Sequence, residues 1–171
     1  DAQMAKMKAL VAEAMDAGAI GFASSFSPNH AGWQGRPMPS TVASDVELLT
    51  LVEPLKERKR GIFVMATGSR GTPEFMESLS KKTGRPSFMV TVLTMFNDAE
   101  PAKAMTYYER CAAARARGNE VYIHTSCQPL SFDVTLRDPY TLYSHDAFTR
   151  VKQAAKEDLP AIYLNPAFRD A

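Results

Sequence analysis

The sequence predicts an α/β fold of parallel βα repeats, a partial TIM (β/α)8 barrel of about four βα units. Two observations predict it. First, a helical pattern that ends at glycine and continues into a short apolar stretch recurs along the chain, as VAEAMDAGAIGFASS, LKERKRGIFVMATG, SKKTGRPSFMVTVL and ARARGNEVYIHTSC. Second, no glycine-rich phosphate-binding pattern follows any predicted strand, which weakens a dinucleotide-binding open sheet and favours the barrel segment. A small open sheet is the alternative.

The first two helices have clear boundaries in the sequence. The first covers the N-terminal residues and ends at Gly18, which suits a left-handed cap. The second begins at SDVE, where Ser44 can accept a backbone hydrogen bond and Glu47 can reach back, a capping box. Pro54 is expected to kink or shorten this helix. Its buried positions are expected to be Val46, Leu49, Val52 and Leu55.

The remaining repeats complete the predicted sheet. The third helix begins at Thr72 and Pro73, a capping residue followed by a proline, and the fourth covers about residues 101–117. Strands are expected near 19–25, 62–67, 87–93 and 120–126. Because each strand reaches the next through a helix, the pairing should be parallel and the connections right-handed.

Residues 1–171 are expected to form a single partial-barrel unit, with βα repeats over 1–143 and a C-terminal helical segment over 144–171. Four parallel strands taken from a barrel leave two unpaired edges. We therefore expect the chain to associate with itself through these edges, as a homodimer or an aggregate. The chain does not begin with methionine and opens inside a helical pattern, which suggests a piece of a longer protein.

Composition excludes several classes of partner. The net charge is +1, so no global electrostatic field favours nucleic acid or an anionic membrane surface. A small-molecule substrate is the expected partner. The two cysteines do not form a secreted disulfide framework, and no apolar run approaches the ~20 residues of a membrane span. A cytoplasmic location is the resulting expectation.

The loop after the first strand, SSFSPNHAGWQGRPMPS, contains three candidate substrate-binding residues, His30, Trp33 and Arg36. It lies where the carboxyl ends of parallel strands place functional sites. Arg36 is a candidate carboxylate clamp, because a guanidinium can hold a carboxylate with two parallel hydrogen bonds. A structural flap, in which Trp33 merely covers the barrel rim, is the alternative.

The last strand supplies the candidate catalytic residue, His124. Side chains alternate along a strand, and the apolar Val121 and Ile123 should face the helices. Tyr122 and His124 should then point into the barrel near its catalytic end, where an imidazole can act in acid–base catalysis or bind substrate. A buried histidine bonded to a neighbour is the structural alternative.

Two further candidate substrate-binding residues, Ser25 and Arg70, lie at or near predicted strand ends. Small polar residues there are also expected from the topology alone.

Several of these segments resemble one enzyme family. VAEAMDAGAIGFASSFS is similar to the segment of D-aminoacylase-like (N-acyl-D-amino-acid deacylase) members of the amidohydrolase superfamily that leads toward the active site. NHAGWQGRPMPSTVASDVELL resembles a loop of one sub-branch, and SCQPLSFDVTLRDPY and NPAFRDA resemble later segments. The resemblance implies a metal-dependent hydrolase on a (β/α)8 barrel that removes an N-acyl group from an amino acid, with zinc activating water.

The chain departs from that family at the metal site. The position of one zinc-ligand histidine is occupied by Ala66, and that of another by Thr91. Neither can replace a histidine, because zinc requires imidazole, thiolate or carboxylate donors. Zinc is thus the cofactor that the resemblance implies, while no metal ligand is assigned to this chain.

The leading hypothesis is a fragment of an amidohydrolase-type hydrolase that acts on amide bonds, with the fragment alone inactive. The alternative is a non-catalytic α/β binding module that has lost the metal ligands. A metal-free hydrolase that uses His124 with Ser126 or Ser25 is a third possibility, and it lacks the GxSxG pattern of a nucleophile elbow.

Overall fold

The computed structural model describes residues 2–27, 30, 36–68, 70–90, 102–127, 131, 133–139, 142–143 and 145–170. These residues divide into two compact units. The first contains the described residues of Asp1–Leu93 and Ala104–Ser126, and the second contains those of Thr94–Lys103 and Cys127–Ala171.

The first unit alternates helices with the strands of a four-stranded, all-parallel sheet of order β1-β2-β3-β4. This confirms the predicted α/β class and its parallel βα units. The elements are, in chain order, α1 (Ala2–Asp16), β1 (Gly21–Ser25), α2 (Pro39–Val42), α3 (Asp45–Leu51), α4 (Glu53–Glu57), β2 (Ile62–Ala66), α5 (Pro73–Thr83), β3 (Ser87–Val90), α6 (Lys103–Ala116) and β4 (Val121–His124). The end of the predicted third strand, residues 91–93, lies outside the described residues.

The helix starts follow the capping chemistry of the sequence. Ser44 precedes α3, and its hydroxyl oxygen accepts a hydrogen bond from the Glu47 N–H at 3.1 Å. Thr72 caps α5 in the same way, with Pro73 in its first turn. The predicted second helix is interrupted near Pro54. Helix α3 ends at Leu51, and a separate short helix, α4, begins at Glu53 with Pro54 in its first turn.

One face of the sheet carries the core of the first unit. Because the strand order never reverses, right-handed connections put the intervening helices on the same face. The strand residues Phe63, Met65, Met89 and Val121 are almost fully buried there. They share one apolar cluster with helical residues that include Leu48, Leu55, Met76 and Leu79.

The prediction for the apolar face of the second helix was wrong at Val46, which is 71% exposed. The buried residues are Leu48, Leu51, Val52 and Leu55. Their spacing of three, four and seven residues keeps them on one side of a helix with 3.6 residues per turn. The predicted residues are each three apart, which is less than the 3.6 residues of one turn. Their side chains therefore rotate progressively around the helix axis, and Val46 falls outside the face that contacts the core.

The opposite face of the sheet presents the other set of strand side chains. Ala23, Val64, Phe88 and Tyr122 are aligned across the four strands by the parallel register. The rings of Phe88 and Tyr122 stack with their centroids 5.1 Å apart. The predicted alternation along β4 is confirmed, since Val121 and Ile123 pack with the helical core and Tyr122 shares the opposite face.

The second unit contains α7 (Thr149–Gln153), α8 (Leu159–Leu164), α9 (Pro166–Arg169) and a 3-10 turn at Asp146–Phe148. Phe168 contacts the rings of both Phe148 and Tyr163 edge-on, at 5.3 and 5.5 Å between centroids. The Tyr143 hydroxyl donates to Asp138 at 2.9 Å. Burial, followed by this carboxylate, raises the pKa of Tyr143 to about 12.

None of the helices formed by the described residues combines the length and the apolar character that crossing a membrane requires.

Candidate functional site

The carboxyl ends of the strands form one row of aligned residues. Ser25, Ala66, Val90 and His124 are paired in register across the four strands. Ser25 and His124 therefore lie on opposite edges of the sheet, about 14 Å apart at three strand spacings of ~4.8 Å. Two polar edge positions flank two apolar central ones.

Ser25 and His30 form a hydrogen-bonded pair at the β1 edge. The Ser25 hydroxyl oxygen lies 2.7 Å from His30 Nδ1, and the Ser27 N–H donates to the same oxygen at 3.1 Å. Ser25 is only 7% exposed, whereas His30 is exposed. The pair joins Ser25, which the sheet holds in place, to His30, which follows the strand. The His30 N–H also donates a hydrogen bond to the Ser27 carbonyl oxygen at 3.1 Å.

Backbone contacts with the loop after β2 hold the end of β1 in place. The Phe26 N–H donates to the Ala66 carbonyl at 2.8 Å, which continues the sheet ladder past Ser25. Gly68 has a φ of +53°, and a Cβ there would lie 2.1 Å from the Phe26 carbonyl oxygen. Only glycine permits this close approach. The sequence thus positions the residue beside Ser25 through a neighbouring loop.

Arg70 links the same loop to the start of α3. Its guanidinium lies 4.2 Å from the centre of the Phe26 ring, donates to the Ala43 carbonyl at 2.7 Å and forms an ion pair with Asp45. Stacking and hydrogen bonding of this kind suit arginine rather than lysine. These contacts position α3 beside β1. They leave the predicted substrate-binding role of Arg70 untested.

A cavity of about 530 Å³ lies beside β1 and is bounded by α2 and α3. Its apolar lining includes Phe22, Met38, Leu48 and Leu51, and its polar lining includes Ser25, His30, Ser40 and Glu47. The Ser25–His30 pair therefore opens onto a predominantly apolar space. A cavity of this size can hold a small organic molecule.

Ser40, which lines this cavity, carries a hydroxyl without a partner in the described part of the chain. Among the described residues, the hydroxyl oxygen of Ser40 is buried and makes no hydrogen bond. A buried hydroxyl without a partner is unfavourable, so native proteins rarely retain one unless a bound molecule or water completes it. This oxygen has almost no accessible surface, so the Ser40 side chain has to turn toward the cavity before its hydroxyl can donate to a carbonyl oxygen there.

The sequence-predicted site residues are not all brought together. Ser25 and His30 share the cavity at β1, and His124 lies at the opposite edge of the sheet. Arg36 is exposed on the segment that leads into α2. Trp33 lies outside the described residues, as does Thr91.

Two residues of the cavity were missed from the sequence. Glu47 was interpreted only as a capping residue. A carboxylate in the first turn of a helix can also face the loop that precedes the helix, and this was the available signal. Ser40, in RPMPSTV, belongs to a helix of four residues that has no amphipathic period to show its direction. The contact between Ser25 and His30 also had no signal, because it depends on the loop path.

The described residues do not fit the zinc that the family resemblance implies. Within the described ranges, no three His, Cys, Asp or Glu side chains are grouped so that they could hold a metal ion. Ala66, at the position of a family ligand, offers no donor atom. The chemistry available at the β1 cavity is that of a hydroxyl, an imidazole and a carboxylate.

Comparison of the chain with family models, with curated proteins and with solved structures yielded no match.

Proposed function

We propose that this chain is part of an amidohydrolase-type hydrolase that acts on the carbon–nitrogen bond of N-acyl amino acids, and that the β1 cavity binds the acyl group. One observation carries the proposal. The cavity combines an apolar lining with a buried Ser40 hydroxyl that has no partner among the described residues. An acyl group has the complementary chemistry, since its chain is apolar and its carbonyl oxygen accepts one hydrogen bond.

The charges near the cavity suggest an orientation for such a ligand. Glu47, which lines the cavity, disfavours a carboxylate inside it. The acyl chain should therefore enter beside Met38 and Leu48, while the amino-acid carboxylate stays outside. Arg36 is exposed on the same connection between β1 and α2 and is our proposed carboxylate partner.

A second candidate function is binding without catalysis. Ala66 and Val90 occupy the two central positions of the row at the carboxyl end of the sheet. Neither side chain can ligate a metal or transfer a proton, which favours a binding module that presents an acyl site only. His124, at the far end of this row, is then a polar edge residue rather than a catalytic one. Amide hydrolysis by the chain with added zinc would exclude this candidate.

The acyl proposal is tested by calorimetric titration with N-acetyl, N-butanoyl and N-octanoyl amino acids. Each methylene that enters the cavity contributes about 0.8 kcal/mol, so affinity should rise about fourfold per methylene until the cavity is filled. An affinity that is independent of acyl length would contradict the proposal.

Ser40→Ala tests the polar contact, and Ser78→Ala, on the exposed face of α5, is the matched control. Loss of one hydrogen bond to the ligand should weaken binding about threefold to tenfold in Ser40→Ala alone. Because this hydroxyl has no partner among the described residues, its removal should not lower the stability of the free protein. Equal affinities of the two variants would show that Ser40 does not contact the ligand.

A further inference from the structure

We propose that Ser25 is an acyl-accepting nucleophile, with His30 as its general base, for esters that carry an apolar acyl group. This inference rests on the acyl-binding cavity of the proposed function and adds a covalent step to it. The step involves no metal ion. Its three requirements are a hydroxyl with its proton directed at a base, a substrate-sized space beside that hydroxyl, and a donor for the carbonyl oxygen.

The hydrogen bonds of Ser25 Oγ leave its proton free to point at His30. The Ser27 N–H donates to Ser25 Oγ at 3.1 Å, so this bond occupies an oxygen lone pair. The remaining contact, 2.7 Å to His30 Nδ1, can then use the single hydroxyl proton. The inference requires the tautomer that carries the imidazole proton on Nε2, in which Nδ1 accepts from the Ser25 hydroxyl. Serine and base are within the distance that proton transfer requires.

Ser25 is buried and His30 is exposed, as a nucleophile and its general base require. Ser25 is 7% exposed and lines the β1 cavity, so a reagent reaches its hydroxyl through that cavity. His30 also lines the cavity but is exposed, so its imidazole can exchange protons with water.

The chemical step is balanced without an added co-reactant. Ser25 Oγ attacks the ester carbonyl carbon, and its proton moves to His30 Nδ1. The bond between that carbon and the leaving oxygen breaks, and the proton passes to the departing alcohol or phenol. The products are an acylated Ser25 and the free alcohol. Ser40 lines the cavity, and its buried hydroxyl, once turned toward the cavity, is the proposed donor to the carbonyl oxygen as it becomes negative.

The probe is p-nitrophenyl octanoate, with p-nitrophenyl acetate as its short-chain control. We expect a stoichiometric burst of p-nitrophenol, a mass increase of one octanoyl group, and localisation of that group to Ser25 by peptide mapping. The octanoyl ester should react faster than the acetyl ester. An unmodified Ser25, with acyl groups only on lysines, would overturn the inference.

Variants separate the roles of the two residues. Ser25→Ala should abolish the burst, and His30→Gln should slow it by about 100-fold or more, the usual contribution of a general base. Ser78→Ala, remote from the cavity, should react like the parent. If His30→Gln reacts at the parental rate, His30 is not the base and the inference fails. Circular dichroism spectra equal to the parent's establish that each variant is folded.

Binding measurements distinguish failure of this inference from failure of the proposed function. Titration of N-octanoyl amino acids that shows length-dependent binding, together with no acylation of Ser25, would overturn the nucleophile and leave the acyl site intact. Acylation of Ser25 without any binding of N-acyl amino acids would support the nucleophile and contradict the proposed substrate class.

Discussion

Replacement of Glu53 by glutamine should destabilise the protein in a pH-dependent way. Glu53 begins α4, and its two carboxylate oxygens lie 2.8 Å from Lys8 Nζ on α1 and 2.9 Å from Lys82 Nζ on α5. Hydrogen bonds from Lys8 and then Lys82 lower the pKa of this carboxyl from its ordinary 4.5 to about 2. The carboxylate thus connects three helices of the first unit.

The size of the effect follows from this pKa shift. A shift from 4.5 to about 2 corresponds to at most about 3 kcal/mol. The Glu53 side chain is 31% exposed, however, and solvent screening reduces the expected loss in Glu53→Gln to about 1 kcal/mol. Because the folded-state pKa is lowered, this stabilisation is complete above the unfolded pKa of 4.5. It is lost as the pH falls toward 2.

Urea denaturation followed by circular dichroism provides the measurement, at neutral pH and at about pH 3. Glu57→Gln is the control, because Glu57 pairs with Lys8 at 2.7 Å and with Arg58 at 3.6 Å but is 50% exposed. We expect a loss below about 0.5 kcal/mol in that control. The Glu53→Gln deficit should shrink at low pH and in high salt. A deficit of the same size at both pH values would refute an electrostatic origin.

Three further predictions concern individual contacts. Gly68→Ala should cost about 2 kcal/mol or more in urea denaturation, because its Cβ would meet the Phe26 carbonyl oxygen at 2.1 Å; a loss under about 0.5 kcal/mol would contradict this close approach. Arg70→Lys should lower stability by about 1 kcal/mol and leave N-acyl amino acid affinity unchanged, whereas the reverse outcome would indicate substrate binding. Iodoacetamide should label the exposed Cys127 in the native protein and leave Cys111 unlabelled until urea is added, because burial raises the pKa of the Cys111 thiol; equal labelling rates would be contrary to its burial.

Much of the fold was predictable because its signals are local. Ser44 and Thr72 predicted two helix starts, since a capping side chain acts within three residues. The four strands followed from short apolar stretches that come after glycine, and their parallel order followed from the helices that join them. Val46 was misassigned because the apolar residues allowed two helical faces, and only packing against the sheet selects one of them.

The candidate site was predictable only in part. Ser25 and His30 were both identified, because each lies at or after the carboxyl end of a predicted strand. Their contact was not predicted, since no local sequence pattern specifies how the chain returns from Ser25 to His30. The sequence also favoured His124, and the alternation that it predicted along β4 is confirmed at Val121 and Ile123. Strand order, with β1 and β4 at opposite edges, separates His124 from the β1 cavity by the width of the sheet.

The central claim is that the cavity at Ser25 and His30 binds an acyl ligand. Imidazole NMR resonances test it most directly, because the chain has three histidines, which His→Gln variants can assign individually. During titration with an N-octanoyl amino acid, we predict saturable shifts of the His30 resonances and no shifts for His124 and His145. Saturable shifts confined to His124, or none at all, would contradict the claim.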